Sequence, residues 1–485
     1  MAFPRSAARS RASDEVLLRV VACARRTLKL SLLGAGALAA ATVGPLSSIA
    51  YAQDAPPHTI EDTEIDEILH KECDPIFAAA GLDPKSVQIV MIEDKELNAG
   101  TMSTKLIGIY TGLIEETKTP NELIGVMAHE TGHAAGGHTV RGDAEMQRAA
   151  MNPMLMTLGL GLLAIAAGAG GAGAALISSA PYFGALGAIG YSREQESRAD
   201  QAAITYLEKA GMSSRGLVDF FDNFRYQEVF EQARRYQFFQ DHPISSERIE
   251  TLRRRVEEQP HYNAVDPPDL IALHEVMKAK LFAFTEPPQQ TFMKFPESDT
   301  SFPARYARAI AYYRETEVEM AMKALDNLLA DYPNDPYLWE LKGQVLFEAG
   351  RAKESEGPHQ RSVDLKPQAP LLRINLARAI LAQEDGKRAD EAIVHLQKAL
   401  AFDRDNAFAW ALLAQAWDAK GDGGQARLAA AEERFSIGDM VQARIFALRA
   451  RELLPRNTPE WRRATDIVLV ANPGKDDLRK MGGPS

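Results

Sequence analysis

The sequence predicts a mainly helical α+β chain, with a small β-sheet in its first half and an α-solenoid in its second. Three observations predict this. Two short β-rich runs, 86–92 (SVQIVMI) and 106–110 (LIGIY), lie close together. Helical patterns dominate after them. Beyond about residue 304, tryptophan, glycine and proline recur at a fixed period.

The 485 residues suffice for two or three domains of ordinary size. Apolar content of 46% with 25% charged residues reads as globular. The N-terminal segment stands apart. Arg5, Arg9, Arg11, Arg19, Arg25, Arg26 and Lys29 precede an uncharged apolar stretch, 30–49, and then Ala50-Tyr51-Ala52. That is the basic region, apolar region and small-residue cleavage site of a secretory signal peptide, expected over 1–52, although its basic region is long. An uncleaved anchor is the other reading of the same segment. The first 52 residues carry net +5, so a total of −11 leaves −16 for the rest. Such a surface does not suit nucleic acid or anionic lipid. Only Cys23 and Cys73 are present. Without Cys23 no internal disulfide can form, and Cys73 reads as a small buried apolar residue.

Between the β runs, 93–104 reads as a polar turn region. Residues 259–303 are marked by Pro260, Pro267, Pro268, Pro287 and Pro288 and read as a linker. After it, Trp339, Gly343, Leu346 and Pro367 fall at the offsets of a tetratricopeptide repeat, and Pro336 and Pro370 are one repeat apart. Trp410, Leu413, Ala414, Trp417 and Gly421 form a later unit, with the loop 384–386 taking up the extra length. Segments 305–332 and 424–454 read as less regular units. Stacked pairs of this kind bury a continuous core, large residues filling gaps beside small ones, and expose a concave face.

Residues 119–133 (TPNELIGVMAHETGH) carry the chemistry. Thr119 is an N-cap, Pro120 suits the first helical position and Glu122 completes a capping box. His129 and His133 therefore lie one turn apart inside a helix, where both imidazoles can reach one Zn²⁺. Glu130, about 100° round the helix, sits where it can act as a base rather than a ligand. A catalytic zinc needs a third protein ligand. The segment 192–211 supplies one: Ser192 and Gln195 form a second capping box, Gly211 stops the helix, and Glu196 and Asp200 share a face. Glu196 is the expected ligand, Glu194 the runner-up, and Asp200 would orient a ligating imidazole. His242-Pro243 with Arg248 is a third feature, a loop histidine if taken alone.

Four segments in this order resemble the gluzincin peptidases that include the CAAX prenyl protease and the heat-shock membrane protease HtpX, in particular their BepA-like, β-barrel assembly-enhancing branch, which adds tetratricopeptide repeats. They are Asn98-Ala99, 129–133 with His138, 196–200, and His242-Pro243 with Arg248. The resemblance implies His129, His133 and Glu196 as ligands of one Zn²⁺ per chain, with Glu130 as general base. It implies Asp200 as a supporting carboxylate, His242 as a displaceable fourth ligand or transition-state donor, and Arg248 as an oxyanion stabiliser. It further implies a periplasmic endopeptidase acting on stalled or misfolded outer-membrane proteins, with a possible chaperone role and the β-barrel assembly machinery as a partner. Where the family has Phe after Asn-Ala, this chain has Gly100 followed by TMSTK, which alters the strand on which an extended substrate is expected to pair. The expected domains are a metallopeptidase over 53–258 and repeats over 304–485.

Residues 152–192 contain no charge. A single membrane crossing would separate the histidines from Glu196, so a hairpin turning at 168–173 is expected, packed beside the site or dipping into a membrane surface. Two competing classes are a repeat-based chaperone with a silent peptidase, and a membrane-embedded prenyl-protein protease. The signal segment and the single apolar block oppose the latter.

Overall fold

The computed structural model describes residues 59–136, 193–225, 242, 245–383, 388–471 and 474. The signal segment, the apolar stretch 152–192, His138, Ser192, Pro243 and the loop 384–386 lie outside the described residues.

The first half is built round one helix. Strands β1 (Thr59–Ile60), β2 (Gln88–Ile92), β3 (Ala99–Ser103) and β4 (Leu106–Tyr110) form a sheet of order β1-β2-β4-β3. β2 and β4 run parallel, and β1 and β3 pair antiparallel at the two edges. The two β-rich runs become β2 and β4. The segment read as a polar turn contains β3, whose Ala99, Thr101 alternation faces inward. Its short Ala-Gly-Thr-Met-Ser sequence has little strand character of its own; pairing with β4 makes it a strand.

Helix α1 (Thr63–Ala79) follows β1, and the short α2 (Thr111–Glu116) follows β4. Helix α3 (Pro120–Gly136) is buried continuously from Glu122 to Ala134. A helix buried all round belongs at a centre. Around it lie α1, the sheet, α4 (Arg193–Lys209), α5 (Arg215–Arg225), α6 (Ser246–Glu257) and α7 (Pro268–Thr285). Their shared core contains Phe77, Ile109, Val126, Leu207, Phe221 and Met277.

Prolines start helices in the segment expected as a linker. Pro268 opens α7 and Pro288 opens α8 (Pro288–Lys294). Proline lacks an N–H that the first helical turn would leave unsatisfied, so a helix start and a breaker look alike in sequence. Helix α7 belongs to two cores at once: Leu270, Met277 and Leu281 face the sheet side, while Val276, Ala279 and Ala283 face the repeats.

Among the described residues ten helices follow as successive pairs: α9 (Phe302–Arg314) and α10 (Val318–Asp331), α11 (Pro336–Glu348) and α12 (Ala352–Leu365), α13 (Pro370–Leu381) and α14 (Ala389–Phe402), α15 (Ala407–Lys420) and α16 (Gly423–Ser436), α17 (Met440–Leu453) and α18 (Pro459–Val470). This is the helical-repeat half. Its period shows in detail. Trp339 Nε1 donates to the carbonyl of Pro333 at 2.9 Å, and Trp410 Nε1 makes the same bond six residues back, to Arg404, at 2.8 Å. Gly343 makes room for a neighbour, because a Cβ there would stand 2.7 Å from the buried His359 ring. Gly421 ends α15 at φ +83°, where glycine is favoured.

The repeats dock on the start of α1. Tyr306 Oη donates to Glu64 at 3.0 Å, and Lys280 Nζ lies 2.7 Å from Asp62 and 3.0 Å from Glu64. Lys366 pairs with Glu67. Among the described residues no helix is long and apolar enough to cross a membrane.

Candidate metal centre

Helix α3 begins as its sequence directs. Thr119 Oγ1 accepts the Glu122 N–H at 3.3 Å. Glu122 reaches one residue further back than a capping box requires and accepts the Lys118 N–H at 2.8 Å. Further along the helix, His129 and His133 point the same way, with their Nε2 atoms 3.1 Å apart.

Helix α4 crosses α3 closely at this point. A Cβ on Gly132 would stand 2.8 Å from the Ala199 carbonyl oxygen and 3.0 Å from its Cα. Glycine between the two histidines lets α4 approach until Glu196 reaches them. Glu196 Oε1 is 3.3 Å from His133 Nε2, and Oε2 is 3.5 Å from His129 Nε2. His242 arrives from the other side: its Nδ1 lies 3.4 Å from His129 Nε2 and 3.2 Å from Glu196 Oε1. Ligand atoms of these four buried residues all lie within 4.8 Å of one another.

These separations fit a metal. Four donors about 2.1 Å from a tetrahedral zinc stand roughly 3.4 Å from each other. Two basic nitrogens facing each other with a carboxylate between them, all buried, are otherwise poorly matched. Supporting groups complete the set. His129 Nδ1 is 3.0 Å from Asp200 Oδ1, which turns its Nε2 toward the centre. Arg248 follows the N-cap Ser245 of α6, whose hydroxyl oxygen accepts its N–H at 3.1 Å. Its guanidinium donates to both Asp200 oxygens at 2.8 Å and lies 2.7 Å from Glu196 Oε2. Phe221 closes the back, 5.3 Å below that guanidinium and edge-on to His129.

Electrostatics follow from this packing. Burial opposes a charge on His129, but hydrogen bonding to Asp200 and Glu196 outweighs it and carries its pKa up to about 9. His133 is driven down to about 4, chiefly by burial. Burial would raise Glu196 and Asp200, but hydrogen bonds from the histidines hold Glu196 far below the carboxylate range, and Arg248 with His129 holds Asp200 at about 2.

Glu130 sits beside the donors. Its Oε1 is 3.4 Å from His242 Nε2. Its Oε2 is 3.3 Å from Thr101 Oγ1, and that hydroxyl lies 2.7 Å from the Glu130 main-chain oxygen. The seven expected site residues meet here: His129, Glu130, His133, Glu196, Asp200, His242 and Arg248. Glu194 instead pairs on the surface with Arg198. Thr101 was not among the expected site residues. The one available signal was the departure from the Asn-Ala-Phe pattern, and it lay in the presumed turn.

Residues 62–256 match peptidase family M48. The chain is 24% identical over 362 residues to the β-barrel assembly-enhancing protease of Escherichia coli (strain K12), covering 73% of this chain and 72% of that one. The Yersinia pestis protein of the same name is 23% identical over 360 residues, with the same coverage. Metalloprotease YcaL of Escherichia coli is 30% identical over 178 residues, 36% of this chain and 63% of its own. Among solved structures, MamA covers 36% of this chain and 96% of its own at 17% identity, with a TM-score of 0.27. The match to peptidase family M48 supports a zinc metalloendopeptidase, and the His-His-Glu-His cluster is a set of donors able to hold its metal.

Proposed function

We propose that this chain is a periplasmic endopeptidase of envelope-protein quality control, cutting misfolded or stalled outer-membrane proteins at the centre described above. The observation that carries the catalytic part is the convergence of His129, His133 and Glu196 with Glu130 at its side. His129 Nε2, His133 Nε2 and Glu196 Oε1 would hold the zinc. When bound, zinc polarises the scissile carbonyl and acidifies the attacking water. Glu130 takes the water's proton through Oε1 and returns it to the leaving amine. An extended substrate pairs along the open edge of β3.

His242 is the displaceable donor. Its Nδ1 lies 3.4 Å from His129 Nε2 and 3.2 Å from Glu196 Oε1, which supports a resting enzyme that would be latent until substrate displaces His242. Displaced, it is free to donate to the oxyanion. Arg248 is better placed to hold Glu196 and Asp200 than to reach an oxyanion, because its guanidinium is bound to both.

The envelope setting rests on similarity to the β-barrel assembly-enhancing proteases and on the secretory segment in the sequence. The repeats would carry unfolded clients or contact the assembly machinery, and 152–192 would touch the membrane surface. A latent centre beside a repeat array also supports a chaperone role. Glu130→Gln separates the two activities. It is expected to retain zinc and lose at least about 10³-fold in cleavage of denatured casein, of the order a positioned acid–base group supplies, while keeping client binding. A Glu130→Gln protein that cleaves like the parent would leave only the chaperone reading.

A further inference from the structure

We infer that Thr101 is the positioning residue of the general base, tying Glu130 to the open edge strand β3 and leaving one carboxylate oxygen for the water. The inference rests on Glu130 being the base.

Thr101 lies on the inward face of β3 and is only 5% exposed, whereas Met102 next to it points to solvent. Its hydroxyl is 2.7 Å from the Glu130 main-chain oxygen and 3.3 Å from Oε2. The hydroxyl has one proton, and both acceptors belong to one residue. Whichever accepts, Glu130 is fastened to the strand. The two carboxylate oxygens are unequally placed toward it. Oε2 faces Thr101. Oε1 is buried, has no hydrogen-bond partner among the described residues, and points toward His242 Nε2 at 3.4 Å. A buried acceptor left unpaired is uncommon and calls for an explanation. Here Oε1 is the atom available to the reaction, and Thr101 fixes its direction.

The link also gives the edge strand a route to the base. Among the described residues β3 is paired on one side only, to β4. A peptide that pairs with its open side orders the strand and so steadies Thr101. The helix turn that carries Glu130 has no other hydroxyl contact to that strand among the described residues. Thr101 thus aligns the base when substrate is in place, and its effect belongs in turnover rather than in substrate affinity.

Thr101→Val keeps the shape and removes the hydroxyl; Thr101→Ser keeps the hydroxyl. Zinc content and thermal midpoint are measured first, with Thr101→Ala as a second hydroxyl-free variant should valine not fold. With denatured casein as probe, kcat is expected to fall about tenfold in the valine variant with KM within about twofold, and to stay near the parent in the serine variant. Calorimetric affinity for a peptide hydroxamate, whose hydroxyl proton is shared with the base, should weaken about tenfold in Thr101→Val. It should not weaken further when Thr101→Val is added to Glu130→Gln. Equal behaviour of the valine and serine variants, a loss confined to KM, or the same hydroxamate loss in the Glu130→Gln background would overturn the assignment. If Glu130→Gln alone leaves cleavage intact, the base itself is misassigned and the inference falls with it.

Discussion

Four charged or ionisable side chains are packed together: His129, Glu196 and Asp200 are buried, and Arg248, its side chain 12% exposed, lies against them. Burying such groups is unfavourable unless each finds partners, and removing one partner leaves the others uncompensated. Arg248 is the test. Arg248→Leu removes the cation that holds Asp200 and one oxygen of Glu196, so it should destabilise the domain by about 3–5 kcal/mol and weaken zinc binding, read by urea unfolding and metal competition. Arg248→Lys should recover part of it, since an ammonium keeps the charge but lacks the planar fork that pairs with both Asp200 oxygens. At this scale the sequence was highly informative. His129, Glu130 and His133 lie on one helix, where spacing alone fixes their mutual geometry. Glu196 and Asp200 were legible for the same reason. What Arg248 touches depends on how α6 returns to α4, and no local pattern carries that.

Elements set how closely these groups approach. The crossing of α3 and α4 depends on Gly132, which has no space for a side chain against Ala199. Gly132→Ala must push the helices apart or strain the backbone, at a cost of roughly 1–3 kcal/mol. Because Glu196 rides on α4 while the histidines ride on α3, the larger effect should be on metal. Zinc affinity is expected to fall while helical content by circular dichroism stays unchanged. An unaltered affinity would show that the two helices adjust independently of the site. Elements were less legible than residues. β3 was hidden because a short Gly- and Ser-containing strand takes its form from its partner β4. The helices α7 and α8 were hidden because Pro268 and Pro288 start them, and a proline read without its surroundings looks like a break.

Across the whole molecule, α7 and the start of α1 join the peptidase half to the repeats. Asp62, Glu64 and Glu340 gather round the single ammonium of Lys280. Burial is the main cause that lifts Glu340 to about 7, with Lys280 opposing and Asp62 and Glu64 reinforcing. A carboxyl raised in the folded state contributes stability below its unfolded pKa, near 4.5, and loses it as pH rises through about 7. The junction should therefore weaken from pH 5 to pH 8. Glu340→Gln should match the parent's thermal midpoint at pH 5 and exceed it at pH 8. A parent-like pH dependence in the variant would assign the effect to another group. The sequence placed the repeats by their period but gave no hint of this contact, because its partners are separated by more than two hundred residues.

The central claim is that His129, His133 and Glu196 make one zinc site. Zinc per chain in the purified protein, beside Glu196→Ala, tests it without depending on whether the resting enzyme is latent. About one zinc in the parent and a clear loss in the variant is the expected result. A folded parent that takes up no zinc when it is offered, or a Glu196→Ala protein that holds it as tightly, would contradict the account.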